Sequence, residues 1–371
     1  MAGRIVLFGA TGYTGRLTAA ALCGLGAEPL LAGRNQESLD ALADELGGKL
    51  ETATADVAEP ASVRDLLGAG DVMVSTVGPF VRWGAPAIEA AIDAGCAYID
   101  STGEPAFIRR TFEEWGPRGE AGGAPLLTAL GYDWVPGNLA GALALREAGE
   151  AARSVEVGYF ITGGGGGGLS AGMSGGTMAS LAGALLEPGF AFRDGRIVTE
   201  QGGRRVRDFE VMGRKRQAVS IGSSEHFTLP RLADGITDVE AYLGWFGPMS
   251  RPMQAGSFAL GAIRRVPPVK RGVEALLGRF AKGSTGGPSE EERAAGGSYI
   301  VAVVRAADGE QLSEIRLSGV DGYTFTGAFL SWAAQRALEG GIEGSGALGP
   351  AEAFGLDELE RGVTAAGISR A

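Results

Sequence analysis

Arg4-Ile5-Val6-Leu7-Phe8-Gly9-Ala10-Thr11-Gly12-Tyr13-Thr14-Gly15-Arg16-Leu17-Thr18-Ala19-Ala20-Ala21-Leu22 reads as a strand, a glycine turn and a helix. The continuous apolar run suits a central parallel strand covered on both faces, and the Ala/Leu-rich continuation suits a helix packed closely against it. The glycines fall at the junction with G-x-x-G-x-x-G spacing, a variant of the commoner G-x-G-x-x-G. Gly9 permits the tight turn, Gly12 lets a ligand approach bare backbone, and Gly15 lets the helix press on the strand. The first-turn N–H groups of that helix then face an anion. A triplet that follows a strand and opens a helix is a pyrophosphate cradle, with Thr11, Tyr13 and Thr14 in its arc.

The second apolar run, Glu28 to Arg34, ends about 20 residues beyond the turn, where an acid would hold an adenosine ribose. Here the position is Arg34. A guanidinium supplies a planar fork for a 2′-phosphate and a face for adenine, so the cofactor expected is NADP(H). The competing reading is a solvated arginine opening the next helix. That helix runs from Asn35, a natural N-cap, to Gly47. A third strand over Leu50 to Ala55 delivers Asp56 and Val57 to the same edge, where Asp56 either touches adenine or caps the helix begun near Pro60. The fourth, Asp71 to Val77, ends in Gly78-Pro79-Phe80, bare backbone and a rigid aromatic beside the expected nicotinamide ribose. A helix over Pro86 to Ala94, a strand over Ala97 to Asp100, a helix over Pro105 to Ala121 and a strand over Pro125 to Ala129 continue the alternation.

Six strands in that order make a Rossmann-type, doubly wound parallel sheet over residues 1–135. The loops after its fifth and sixth strands carry Thr102, Glu104, Tyr132 and Asp133. Thr102 and Glu104 are candidate substrate contacts, and Asp133 is a candidate active-site carboxylate or a helix cap. Beyond Asn138 the pattern becomes α+β, with a mixed sheet over residues 136–345. Its strands are read at Ser154 to Thr162, Thr237 to Leu243, Ser298 to Ala306 and Gln311 to Ser318, with a hairpin turning at Gly202-Gly203. Ser174 and Thr177 open a helix running to Leu186 and are further substrate candidates. Pro267 to Pro288 reads as a surface loop or flap, and helices in 346–371 are expected to return to the first domain.

Composition narrows the function classes. The 371 residues exceed the size at which one core stops growing, so two domains are expected. A formal charge of −11 disfavours sequence-independent nucleic-acid binding. Two cysteines make no disulfide framework and fit a reducing cytoplasm. Val157 to Leu186 lacks charge but is broken by the glycine run 163–168, so no integral membrane span is expected. One histidine and two separated cysteines cannot build a standard zinc set, so no metal is expected.

The ordered set GATGYTG (9–15), Ala32-Gly33-Arg34, Val77-Gly78-Pro79-Phe80, Tyr98 to Glu104, Gly131 to Pro136 and Ser174-Gly175-Gly176-Thr177 resembles the saccharopine dehydrogenase-like oxidoreductases. The resemblance implies an NADP-binding Rossmann domain, a second α+β domain closing over the cofactor, and a homodimer. It does not imply saccharopine, because the basic residues that would hold its carboxylates have no match. The reaction expected is reduction of a C=N bond in a small or carrier-bound metabolite, with Asp133 stabilising the iminium. The alternative is enoyl reduction of a polyketide or lipid, with Tyr132 or another hydroxyl protonating Cα. A non-catalytic NADPH sensor is a third reading. His226, beside Glu225, is a candidate proton donor or a structural imidazole on a strand.

Overall fold

The computed structural model describes residues 3–163, 189–245, 247, 250–252, 254 and 286–371. The chain forms two compact units, one comprising 1–103, 107–135 and 322–367, the other 104–106, 136–321 and 368–371.

In the first unit, strands β1 (Ile5–Phe8), β2 (Leu30–Gly33), β3 (Thr52–Thr54), β4 (Val72–Ser75), β5 (Ala97–Asp100) and β6 (Pro125–Leu127) alternate with helices. These are α1 (Tyr13–Gly24), α2 (Gln36–Glu45), α3 (Pro60–Arg64), α4 (Phe80–Trp83), α5 (Ala85–Ala94), α6 (Pro105–Arg110) and α7 (Gly116–Gly122). A π-helical turn, Thr111–Trp115, joins the last two. The strands pair in parallel in the order β6-β5-β4-β1-β2-β3, and a short strand Gly346–Ala347 extends the β6 edge. This is the doubly wound order, with its switch point between β1 and β4. Val6, Leu7 and Phe8 are sealed on both faces, which explains the unbroken apolar run. Burial of each such side chain stabilises by about 1.5–3 kcal/mol. Asn35 caps α2, its side chain accepting the Ser38 N–H at 2.8 Å.

The helix Gly322–Leu338 corrects the expected 345 boundary, since it lies in the first unit and packs on α1. Its Ser331 hydroxyl donates to the Thr18 carbonyl at 3.2 Å, and a Cβ at Gly327 would stand 3.1 Å from Leu17 Cβ. The helices Pro350–Phe354 and Leu356–Ala365 also belong there, where Trp332 meets Phe354 edge-on at 4.9 Å.

The second unit begins with α8 (Val135–Ala148), whose first residue falls in the first unit, and is built on a mixed sheet. Its strands include β7 (Ser154–Gly163), β8 (Gly189–Arg193), β9 (Arg196–Glu200), β10 (Val206–Val211), β11 (Arg214–Ile221), β12 (Asp238–Leu243), β13 (Gly296–Arg305) and β14 (Gln311–Gly319). The final strand, Ile368–Arg370, pairs with β14 instead of joining the first unit. The expected Gly202-Gly203 hairpin is also corrected. β8 and β9 turn at Asp194-Gly195, both at positive φ, whereas Gly203 donates its N–H to Ser220 O in the link to β10. The helix expected to start at Ser174 and most of Pro267 to Pro288 lie outside the described residues.

Candidate active site

The carboxyl edge of the parallel sheet is built around the turn after β1. Gly9 has φ +90, and a Cβ there would fall 2.8 Å from Thr76 Oγ1 and 2.9 Å from Val77 Cγ2. A Cβ on Gly15 would fall 2.2 Å from Gly9 O. The protein's own packing therefore excludes side chains at both. Gly12 differs, because its Cβ would meet only Gly9 O, at 3.3 Å. Its bareness opens the turn outward. No side chain caps α1, so the polar N-terminus of the helix is left for an anion. Thr76 ties the end of β4 to the turn by donating to Gly9 O at 3.1 Å, and Thr11 Oγ1 would lie 3.9 Å from a Cβ on Gly33. Thr14 O accepts the Thr18 hydroxyl at 2.9 Å. The Tyr13 ring is held edge-on by Tyr323 at 5.1 Å, which braces the turn from the helix Gly322–Leu338.

Arg34 directly follows β2, is exposed and has no ion pair among the described residues. The neighbouring Arg16 is engaged with Glu45 instead. A bare turn, an uncapped helix and an unengaged guanidinium fit the diphosphate and 2′-phosphate of NADP(H). Asp56 does not cap α3, whose N-cap is Glu59. Its Oδ1 accepts the Ala58 N–H at 2.9 Å in a local turn, with Val57 half-buried beside it. Val77, Gly78 and Pro79 stand half-buried at the switch point, with a cis Gly78–Pro79 bond. The expected role of the Phe80 ring is corrected, because it is buried against Phe107 at 5.6 Å and anchors this segment from within the core.

The ends of β5 and β6 carry the carboxylates. Asp100 is fully buried. Its Oδ1 accepts the N–H groups of Thr102 at 2.8 Å and Ala129 at 2.9 Å, and its Oδ2 accepts the Thr128 hydroxyl at 2.8 Å. Burial pushes its carboxyl up to about 6 against the pull of these donors. Asp133 is half-buried as a residue, but its Oδ1 is sealed from solvent without a hydrogen-bond partner, and burial alone pushes the carboxyl up to about 7. A carboxyl of that kind holds a proton near neutrality and can give it up. Tyr132, the other proton-donor candidate, has its ring buried against Phe325, and its backbone N–H donates to Thr326 Oγ1 at 2.9 Å. Thr102, a candidate substrate contact, is buried, and its backbone N–H donates to Asp100.

In the second unit Glu104 is buried, and Ser174 and Thr177 lie outside the described residues. His226 is corrected in two respects. It stands in a four-residue helix, Glu225–Thr228, instead of a strand, and burial pushes its imidazole down to about 4. The Nδ1 atom accepts the Ser223 N–H at 3.1 Å and the ring meets Phe190 edge-on, so this is a neutral core histidine. Glu225 instead accepts the Tyr159 hydroxyl at 2.5 Å, and that hydroxyl accepts the Gly137 N–H at 2.9 Å. No group of three or more potential ligands that could hold a metal occurs among the described residues, and no described helix is long and apolar enough to cross a membrane.

Residues 5–119, which span the glycine turn and β1 to β5, match the family model described as the saccharopine dehydrogenase NADP binding domain. That span of the chain is thus similar to the saccharopine dehydrogenase NADP-binding domain. The whole chain is similar in fold to apo saccharopine dehydrogenase (L-Glu forming) of Saccharomyces cerevisiae, with TM-score 0.60, 15% identity, and coverage of 97% of this chain and 96% of that one. It is likewise similar in fold to the homospermidine synthase of Legionella pneumophila, solved with NAD, with TM-score 0.61, 10% identity, and coverage of 100% and 92%. In sequence the chain is similar over part of its length to trans-acting enoyl reductases of Mycobacterium leprae, 37% identical, and Mycobacterium ulcerans, 36% identical. Each match runs over 140 residues, 36% of this chain and 34% of the relative, so it spans about a third of their length.

Proposed function

We propose that this protein is an NADPH-dependent oxidoreductase that reduces the conjugated C=C bond of an enoyl thioester, with the Asp133 carboxyl as its acid. NADPH held by the glycine turn and Arg34 would supply the hydride for Cβ of the enoyl group, and the protonated Asp133 carboxyl would give its proton to Cα, so that the saturated thioester and NADP⁺ result. The desolvated Asp133 carboxyl, with its sealed and unpartnered Oδ1, carries this reading. Reduction of a protonated imine calls instead for a carboxylate that stays ionised beside the iminium, and burial opposes that state at Asp133. The mycobacterial relatives named as trans-acting enoyl reductases support the same choice and point to a substrate held on another protein.

Loss of NADPH absorbance with short enoyl thioesters, and with cyclic imines in parallel, tests the proposal. Turnover of the thioesters, abolished in Asp133→Asn, is the expected result. Turnover of imines alone would return the C=N reading, and tight NADPH binding without turnover of either class would favour a sensor. A homodimer in the cytoplasm completes the proposal, with sedimentation velocity as its check.

A further inference from the structure

We propose that Asp100 is the positioning residue of this site, the single group from which the loops after β5 and β6 are hung so that they close on Asp133. Four hydrogen bonds converge on it. Beyond the bonds from Thr102, Ala129 and Thr128, the Asp100 carbonyl accepts the Leu130 N–H at 2.7 Å. One bond fixes the loop after β5 and three fix the end of β6. The carboxylate is buried with no ion pair among the described residues, so hydrogen-bond donors, the Tyr98 hydroxyl among them, offset its desolvation. Ala129 has φ +62, a left-handed conformation that alanine adopts only when held. Its N–H is taken by Asp100 and its carbonyl by the Trp134 N–H at 3.1 Å, so the bond to Asp100 lies at the root of the turn that presents Asp133.

The two loops meet at the acid itself. Gly103 follows the anchored Thr102, and a Cβ on Gly103 would stand 3.0 Å from Asp133 Oδ2. Releasing either loop from Asp100 admits water to the Asp133 carboxyl. Asp100 has no part in the chemistry and acts through Asp133, so the inference rests on the reading of Asp133 as the acid.

The test is the titration of Asp133 in free protein, read from carboxyl carbon NMR of aspartate-labelled samples and assigned with Asp133→Asn. In Asp100→Asn the amide oxygen keeps both backbone donors and the Thr128 hydroxyl turns to accept from the amide nitrogen, so Asp133 should hold its wild-type midpoint. In Asp100→Ala all three side-chain bonds go, and the midpoint should fall by about one unit or more toward an ordinary aspartate. Thr128→Val, which removes one bond and keeps the fold in reach if Asp100→Ala does not fold, should give a smaller fall. Amide exchange at Thr102 and Leu130 should quicken in the same order. An unmoved Asp133 midpoint with unchanged exchange in Thr128→Val and Asp100→Ala would overturn the clamp. Inactivity of the wild type toward enoyl thioesters, with these shifts present, would overturn the proposed reaction and leave the clamp standing.

Discussion

Asp133→Asn is the perturbation whose outcome can be worked furthest from the structure. In the folded protein burial raises the Asp133 carboxyl from 3.8 to about 7. The unfolded chain therefore releases this proton near 3.8, while the folded one holds it until about 7. Between those limits the folded state binds more protons, so this group makes stability fall as pH rises through the window and leaves it flat above. Roughly three units at about 1.4 kcal/mol each set a ceiling of about 4 kcal/mol. Partial exposure of the residue brings the expected amplitude to about 2 kcal/mol. Asparagine has nearly the same shape and no charge to desolvate. The stability of Asp133→Asn minus that of wild type should thus climb by about 2 kcal/mol between pH 4 and pH 8.

Urea unfolding of both proteins across that range measures the difference, and other titrating groups cancel in it. Trp83, Trp115, Trp134 and Trp332 lie in the first unit, so intrinsic fluorescence reports mainly on the unit that holds Asp133. A difference independent of pH would refute the desolvated carboxyl, and with it the acid. The same group predicts the rate profile. Turnover should decline above pH 7 as the proton is lost, and Asp133→Asn should cut it by roughly 100- to 10,000-fold.

Gly15→Ala, with its Cβ 2.2 Å from Gly9 O, should destabilise the first unit by about 3 kcal/mol in urea unfolding. Gly12→Ala, facing outward, should melt like wild type yet bind NADPH more than about tenfold more weakly by calorimetry, since only the ligand's approach is blocked. Arg34→Ala should raise the NADPH dissociation constant by roughly 10- to 100-fold and leave that of NADH nearly unchanged. Equal effects on the two would remove the 2′-phosphate assignment. His226, lowered from 6.5 to about 4, binds its proton in the unfolded chain before the folded one. The second unit should therefore lose stability as pH falls through that window, by at most about 3 kcal/mol. His226→Gln should flatten this dependence, as read from amide exchange along β7 and β13.

The parallel sheet was legible because each of its signals is local. An apolar run such as Ile5 to Phe8, a glycine triplet and the Asn35 cap each need only a few consecutive residues to be read, and the observed strand order is the one that such a turn requires. The helix Gly322–Leu338 was misplaced because its partner is set by surfaces some three hundred residues apart in sequence. The available clue was Gly327 and Ser331, small residues four apart on the face that meets α1. His226 was read on a strand because four residues of helix leave no periodicity to detect, and burial then reversed the expected charge. At the active edge, sequence could nominate Asp133 but could not separate it from Tyr132, since adjacent residues share a loop and differ only in which way they turn. Asp100 was harder still. It closes an apolar strand as an acid should close a sheet bordering a ligand, yet in the fold it turns inward to gather the donors of Thr102, Thr128 and Ala129. A carboxylate facing water and one organising two loops have the same one-letter code. What distinguishes them is the count of converging donors, which is a property of the fold and not of the strand that carries the residue.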